Sequence, residues 1–411
     1  MKVAIVCFNL SWQSGGPRLI FSLAKSLEKL GHKVAIYTPD FKGQYFQELW
    51  QGLDIRVISP KSDPKSNDQP RSFLSRIIKK IKQEHSHFNI AKQIAASIEN
   101  NPDVLNVHDY AYPVAFFYKK RNPKINVLWT ENDPPFMYLP KEKILFDLLS
   151  RFYNWFKDLS SRKYFRAINC VSVLDTYNKN WCEKRGLKSI ITRLGVDFEE
   201  FYLPVKDFSL KAAQKKVQIF SLGSLNSYRH YDDIIIAAKY LRDWGYDPKV
   251  NIISNNMWGE DNYRDKLLNL VKEHNLNNKI DFNFSGVSET KLKEIYASSD
   301  IFVYPMYVPP PRNGFGFSIG VFEAMAAGLP VVLCRTTAST EVLKDGENAF
   351  FVDPQNPEEI ALKIKLLIDK PDIYKIVATN GQNLVREKLT WSKYTGKLLD
   401  LIKKNHKAQK S

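Results

Sequence analysis

Short apolar segments alternate with amphipathic segments along most of this chain, and this alternation restricts the fold more than any other feature. The runs at 2–8 and 33–39 are apolar and of strand length. Between them, Ile20, Leu23 and Leu27 recur at the spacing that places side chains on one face of a helix. A strand–helix–strand unit of this kind predicts a parallel sheet that is covered by helices on both faces.

The same pattern repeats, and it restarts near residue 203. Further strands are predicted at 103–109, 125–131, 167–173, 217–225, 249–254, 279–284, 300–305, 330–334 and 349–352. A chain of 411 residues is too long for one hydrophobic core. The sequence therefore predicts an α/β fold with two Rossmann-like, doubly wound parallel-sheet domains, at 1–202 and 203–385, followed by a C-terminal helix with a basic tail at 386–411. Ligands of such sheets bind at the carboxyl ends of the strands, so we expect the site in the cleft between the domains.

The composition restricts the partners and the chemistry. The formal net charge of +16 favours anionic partners. The four cysteines have no paired spacing, which indicates reduced thiols in a cytoplasmic protein and neither a disulfide framework nor a zinc site. No run is long and apolar enough for a transmembrane helix, and the first residues read as a strand, not as a signal peptide. The sequence has no Asp-x-Asp and no ligand-spaced cluster, so we expect neither a metal ion nor a cofactor.

Several segments resemble, in their order and spacing, one enzyme family. They include "GGPRLIFSLAKSLEKLGHKVAIYT", "SLGSLNSYRHYDDII", "SGVSETKLKEIYASSDIFVYP", "FEAMAAGLPVV" and "EVLKDGENAFFVDPQNPEEIALKI". With them the chain resembles the retaining GT-B glycosyltransferases of family four (glycosyl transferases group 1), which transfer a sugar from a nucleotide-sugar to an acceptor. The resemblance covers nearly the whole chain. It implies a GT-B fold in which 203–385 binds the donor, 1–202 binds the acceptor, and the helix in 386–411 crosses back toward the first domain.

The glycine turn before Glu323 carries the most informative part of this resemblance. In the family this acid binds the ribose hydroxyls of the nucleotide, and the amides of the turn, here around Gly316, Phe317 and Ser318, hold the diphosphate. Helix N-termini expose unpaired amides with partial positive charge, which suits a phosphate. The alternative is an acid that only stabilises the N-terminus of its own helix.

The family usually has another glutamate upstream of this acid, which contacts the donor sugar. In this chain Phe315 stands at that position, or Asn313 if the alignment shifts to the preceding glycine. The missing carboxylate removes one charge-assisted hydrogen bond to the sugar. Either the donor lacks the hydroxyl that this acid reads, as a deoxy-sugar does, or catalysis is weakened or lost.

Polar residues after two predicted strands match further family positions. The resemblance assigns the donor diphosphate to the loop that contains Gly223, Ser224 and Arg229, with Ser224 in place of a first cation. Arg229 then neutralises the charge that builds on the departing diphosphate. The alternative is that Arg229 is an ordinary solvated arginine on the surface. His108 matches a histidine that hydrogen-bonds the donor sugar, and the alternative is an ordinary satisfied polar residue.

Two glycine-containing loops are the remaining candidates for the site. Gly15 and Gly16 precede a helix without forming a G-x-G-x-x-G fingerprint, so they favour a close backbone approach to phosphate or acceptor over a nicotinamide or flavin site. An ordinary strand-to-helix turn is the alternative. The resemblance implies that backbone groups around Gly286 and Val287 read the nucleotide base, and the alternative is a plain loop before a helix cap.

The segment at 70–88 has the pattern of a helix that lies on an anionic membrane. Apolar side chains form one stripe, and basic side chains fill much of the rest, at Arg71, Arg76, Lys79, Lys80 and Lys82. A helix packed on the sheet with a solvated basic face is the alternative. Nucleic acid is a poorer partner, because aliphatic residues and not aromatic ones separate the cations.

These observations together predict a glycosyltransferase with a UDP-, GDP- or dTDP-sugar donor and a glycan or lipid-linked acceptor. The resemblance implies retention of anomeric configuration, in the synthesis of cell-surface polysaccharide or glycolipid at the inner face of the cell membrane. Two alternatives remain open at this point. One is a non-catalytic subunit that binds a glycan or a partner enzyme, and the other is a nucleotide-sugar epimerase.

Overall fold

The computed structural model describes residues 1–59, 73–99, 101–132, 144–256, 260–309 and 316–408. Side chains are described over these ranges except at 73–82, 144–147, 149–150 and 405–408. Phe315 and Asn313 lie outside the described residues. So do the side chains that define the amphipathic pattern predicted in the first part of 70–88.

The described chain folds as alternating strands and helices. The strands are β1 Lys2–Val6, β2 Lys33–Thr38, β3 Asp54–Val57, β4 Val104–His108, β5 Asn126–Glu131, β6 Cys170–Val173, β7 Ser189–Ile191, β8 Lys216–Ser224, β9 Asp247–Asn255, β10 Ile280–Asn283, β11 Ile301–Tyr304, β12 Val331–Cys334 and β13 Phe350–Val352. The helices are α1 Gly15–Lys29, α2 Gln47–Trp50, α3 Phe73–Ser97, α4 Tyr112–Lys119, α5 Ile144–Phe165, α6 Thr176–Glu183, α7 Phe198–Phe201, α8 Ser209–Ala213, α9 Tyr231–Asp243, α10 Asp261–Glu273, α11 Glu289–Ser298, α12 Ile319–Ala326, α13 Pro357–Asp369, α14 Pro371–Lys388 and α15 Trp391–Ala408.

The strands form two parallel sheets. Over the described residues, the first sheet has the order β3-β2-β1-β4-β5-β6-β7 and the second the order β10-β9-β8-β11-β12-β13. Chain order reverses between β1 and β4 in the first sheet and between β8 and β11 in the second. A crevice opens at the carboxyl ends of the strands at such a reversal, and ligands bind there. The predicted pair of doubly wound parallel sheets is confirmed.

Buried apolar runs made most of these strands predictable, because a strand covered on both faces is apolar throughout. All eleven predicted strands are present in the described chain, with ends that differ by a few residues. The strands β3 and β7 were not predicted. Both lie at the edges of the first sheet, and β3 is largely polar and partly exposed, so neither has the continuous apolar pattern of a buried strand.

The closing helix α15 packs against the first sheet, not the second. Asn126 on β5 donates to the backbone oxygen of Ile402 at 3.0 Å, and the hydroxyls of Ser26 on α1 and Thr395 are 2.8 Å apart. The chain reaches this position by passing close to Gly195, where an added Cβ would lie 2.7 Å from the Cα of Trp391. Only glycine fits this crossing. In the described part of the chain, the helices are too short or too polar to cross a bilayer.

Candidate functional site

Arg229 lies where the order of the second sheet reverses. It ends a short turn after β8, and its Nη1 donates to the Tyr304 hydroxyl, at the end of β11, at 2.5 Å. Arg229 is partly buried, its Nε is buried without a hydrogen-bond partner, and no carboxylate pairs with it among the described residues. Tyrosine rings and the Met306 sulfur line it, with the sulfur 3.7 Å from Nη1. A buried cation without a counter-ion is costly, which suits a site that receives an anion.

Gly223 provides the space that Arg229 occupies. A Cβ on this residue would lie 3.1 Å from the Arg229 Cζ and 2.9 Å from the Tyr231 hydroxyl. The neighbouring Ser224 accepts a hydrogen bond from the side chain of Asn226 at 2.8 Å. The residues of the predicted loop are therefore adjacent, and a Cβ at Gly223 would crowd both the Tyr231 hydroxyl and the Arg229 side chain.

The turn before α12 presents backbone amides at the same crevice. Gly316 has φ +100°, and a Cβ there would lie 2.8 Å from the Cε of Met306, the residue that also contacts Arg229. Ser318 begins the helix without a side-chain cap, and its own amide donates to the Ser339 hydroxyl at 3.2 Å. Phe317 stacks on Phe322 at 4.7 Å between ring centroids, and this contact packs the turn against α12. The first amides of α12 remain without a capping side chain, which favours an anion at this end.

Glu323 is buried in the second turn of α12. It is 1% exposed, and it accepts hydrogen bonds from Arg18 at 2.5 Å and from the Tyr296 hydroxyl at 3.2 Å. Burial raises the pKa of this carboxyl to about 7, and the charge of Arg18 partly offsets that rise. A second-turn position is poor for stabilising a helix N-terminus, because that effect fades within the first turn.

Arg18 connects the two halves of the chain at this acid, and no sequence pattern predicts this contact. It lies in the first turn of α1, and its Nη2 donates to Glu289 at 2.6 Å while Nη1 donates to Glu323. Its guanidinium also lies over the Phe201 ring at 5.2 Å. A pairing across such a sequence distance has no local signature, so neither Arg18 nor Glu289 was a candidate.

Gln13 makes a second contact of the same kind at the predicted base-reading loop. Its side-chain nitrogen donates to the Val287 oxygen at 2.7 Å, and its oxygen accepts from Asn255 at 3.3 Å. Gly286 has φ +76°, and a Cβ there would lie 2.3 Å from the Gln13 oxygen. The backbone groups assigned to the nucleotide base are therefore held, in this structure, by an amide from the other half of the chain.

The two glycines of the first loop stand in open space. Gly15 and Gly16 form the first turn of α1, both are exposed, and no atom lies within 4 Å of a Cβ built on either. The fold itself does not require glycine at these positions. Both backbones are accessible, which a close approach by a ligand needs.

His108 ends β4, where the order of the first sheet reverses. It is 1% exposed, and both ring nitrogens lack a hydrogen-bond partner. Desolvation lowers the pKa of this imidazole to about 3, so the ring is neutral near neutral pH. The next residue, Asp109, has φ +47° and accepts hydrogen bonds from Asn132, which fixes the chain direction after the strand.

The structure thus brings some of the predicted residues together and leaves others apart. Gly223 lies against Arg229, Arg229 and Gly316 both contact Met306, and α12 joins this group to Glu323. Gln13 and Arg18 add contacts from the first half. His108 lies at the facing sheet edge, with no hydrogen bond to either group in the described part of the chain.

One group of possible metal ligands lies close to Arg229. Ligand atoms of His230, Asp232 and Asp233 are within 4.8 Å of one another. Asp232 is already engaged, since it accepts from the Tyr263 hydroxyl and from Lys266. Burial, with the neighbouring charge of Asp232, raises the pKa of Asp233 to about 7.

Comparison with known proteins agrees with this architecture. Residues 13–199 match the family model described as Glycosyltransferase Family 4, and residues 204–384 match that of Glycosyl transferases group 1. The protein is a GT-B glycosyltransferase. An uncharacterized glycosyltransferase of Methanocaldococcus jannaschii is 28% identical over 283 residues, which are 67% of this chain and 68% of that protein.

Two solved structures show the fold that this glycosyltransferase shares. The crystal structure of Anabaena HepE in complex with UDP and glucose has a TM-score of 0.69 at 14% identity, over 98% of this chain and 100% of that one. Sucrose-phosphate synthase of Thermosynechococcus elongatus has a TM-score of 0.70 at 16% identity, over 99% and 100%. At these identities the likeness concerns the fold alone.

Proposed function

We propose that this glycosyltransferase transfers a sugar from a nucleotide-sugar to a glycan or lipid-linked acceptor, with retention of anomeric configuration. The observation that carries this assignment is Arg229, a partly buried guanidinium with no carboxylate partner among the described residues. The diphosphate of a nucleotide-sugar supplies the missing negative charge. Arg229 and the first amides of α12 then offset the charge that develops on it as the sugar leaves.

The remaining donor contacts follow from the same crevice. Glu323 binds the ribose hydroxyls, and the backbone at Gly286 and Val287 binds the base, once Arg18 and Gln13 give up those partners. That the HepE structure contains UDP and glucose supports a nucleotide donor. His108 is neutral and has hydrogen-bonding capacity to spare, so it suits a contact with a sugar hydroxyl.

The proposal also assigns a ligand to each domain and a cellular location to the enzyme. The donor binds mainly to 203–385 and the acceptor to 1–202, with 386–411 crossing back between them. Phe315 stands where the family has an acid, which favours a donor without one hydroxyl, such as a deoxy-sugar. The pathway is the synthesis of cell-surface polysaccharide or glycolipid at the inner face of the membrane. The membrane contact expected at 70–88 stays a prediction, because most of its side chains lie outside the described residues.

The test is a thermal-shift screen of UDP-, GDP- and dTDP-sugars, followed by hydrolysis and transfer assays with the donor that binds. We expect one nucleotide class to stabilise the protein and Glu323→Ala to abolish the shift. Glu347→Ala removes an exposed carboxylate from the same half and should leave the shift intact. If no nucleotide-sugar binds or turns over, a non-catalytic subunit becomes the better interpretation. An altered sugar nucleotide formed without acceptor would instead identify an epimerase.

A further inference from the structure

Helix α5 carries its apolar stripe on the outside of the protein. Five large apolar side chains, each between 47% and 65% exposed, follow one another at helical spacing: Leu148, Phe152, Trp155, Phe156 and Leu159. We refer to them as the α5 stripe. Spacings of three and four residues place them on one face. Monomeric proteins rarely expose a contiguous aromatic surface of this kind, and where they do it usually contacts a partner or a membrane.

The opposite face of the same helix is the one that holds α5 on the protein. Ser161 accepts from the Tyr112 hydroxyl at 3.0 Å, and Tyr164 stacks on Phe88 of α3 at 4.9 Å. Asp158 is 9% exposed and receives two hydrogen bonds from Arg185, at 2.8 and 2.6 Å. The helix is therefore anchored through polar and aromatic contacts, and the exposed stripe does not contribute to that anchoring.

The charges beside the stripe are positive. Arg162 and Lys163 are exposed, and Lys157 is partly exposed and pairs with Glu84 of α3. Asp158, the acid among the described side chains of α5, is neutralised by Arg185. Aromatic side chains flanked by arginine and lysine are the composition of helices that lie in the interface of an anionic bilayer.

We propose that the α5 stripe docks this glycosyltransferase on an anionic phospholipid surface. Trp155 and the phenylalanines enter the boundary between head groups and acyl chains, and the cations contact lipid phosphates.

A second copy of the chain fits the stripe less well. In a two-fold symmetric contact each surface meets itself, so the exposed cations of α5 would face one another. Asp158 is buried in its pair with Arg185 and offers no compensating charge. Anionic lipid supplies that charge, and this complementarity favours the bilayer.

The experiment uses the full chain and co-sedimentation with phosphatidylcholine vesicles, with or without phosphatidylglycerol. The double variant Trp155→Glu/Phe156→Glu should weaken binding to the anionic vesicles by about tenfold or more, because it removes two aromatic anchors and adds repulsion. The double variant Leu210→Glu/Ile376→Glu makes the same charge change at exposed apolar residues of the other half, 80% and 57% exposed, and should bind as the wild type does.

Three results would overturn the assignment. They are no sedimentation of the wild type with anionic vesicles, equal binding of the α5 variant, and equal binding to vesicles without phosphatidylglycerol. If light scattering shows a wild-type dimer that the α5 variant abolishes, without vesicle binding, the stripe is an interface between copies. Donor hydrolysis in vesicle-free buffer should be equal in both double variants and in the wild type. It therefore reports on the proposed transferase activity independently of membrane binding.

Discussion

Arg18 Nη1 lies 2.5 Å from Glu323 Oε1, although 305 residues separate the two in sequence. The same guanidinium holds Glu289, so one cation from the first half of the chain neutralises two acids of the second. Glu323 is the acid to which we assign the ribose. The Glu323 carboxylate is thus paired with a group of the protein itself, and a nucleotide that binds this carboxylate must compete with that group.

Removing this competitor should tighten nucleotide binding. We expect Arg18→Ala to increase the affinity for UDP about tenfold, because a buried charge-assisted hydrogen bond to Glu323 no longer has to be broken. Isothermal titration calorimetry measures the difference. Arg56→Ala is the matched control, because Arg56 also bridges two acids, Asp54 and Glu99, but on the exposed surface of the first half.

Weaker binding by Arg18→Ala would mean the opposite arrangement, in which the guanidinium moves onto the nucleotide and contributes to its affinity. Unchanged binding would show that nucleotide and Arg18 do not share Glu323. Either result contradicts the competition inferred from the contact.

His108 should make the protein sensitive to acid. Burial lowers the pKa of this imidazole from 6.5 to about 3, so between these values the unfolded chain binds a proton that the native state does not. The free energy of unfolding therefore falls as pH decreases through this window, by up to about 1.4 kcal/mol per pH unit from this residue. His108→Leu should remove that dependence.

Urea unfolding of wild type and His108→Leu at several pH values between about 6.5 and 4 provides the measurement. The two free-energy curves should converge toward neutral pH and diverge in acid. His87, whose pKa burial lowers to about 4, acts in the same direction, so the variant loses only part of the acid sensitivity. Parallel curves would show that His108 is protonated as readily in the native state as in the unfolded chain.

Site residues that lie in contiguous motifs of the second half were predictable from the sequence. The residues of the first half that contact those motifs were not. Glu323 and its glycine turn are contiguous, and Arg229 follows a buried strand at a recognisable distance. Gln13 and Arg18 reach their partners only after two separately folded sheets meet. Their side chains carry no pattern that distinguishes them from surface residues of a loop and a helix.

The same distinction holds for the fold. Strand β12 is apolar throughout because helices cover both faces of its sheet, so four residues identified it. Strand β3 lies at the edge of its sheet and pairs with β2 alone. Such a strand needs no continuous apolar run, so its sequence does not identify it. The outward orientation of the α5 stripe could not be derived from the sequence pattern, for a related reason. Helical periodicity predicts a stripe but does not say whether the protein or another surface covers it.

Arg229 should contribute to activity at a cost in stability. Replacing it by methionine keeps an unbranched chain among Tyr304, Tyr228 and Met306 and removes a partly buried charge that has no carboxylate partner in the described chain. We expect Arg229→Met to lower kcat about a hundredfold or more, because the leaving diphosphate loses its cation. The free energy of unfolding should stay equal or rise, by about 1–2 kcal/mol.

Arg185→Met is the matched control, since Arg185 is also mostly buried but forms a two-hydrogen-bond pair with Asp158. This variant leaves a buried carboxylate without its partner, so it should destabilise the protein by about 2 kcal/mol or more while donor hydrolysis stays unchanged. Urea unfolding and initial-rate kinetics on both variants separate the two roles. If Arg229→Met instead unfolds as readily as Arg185→Met and retains its kcat, Arg229 holds the fold together and the anion site lies elsewhere.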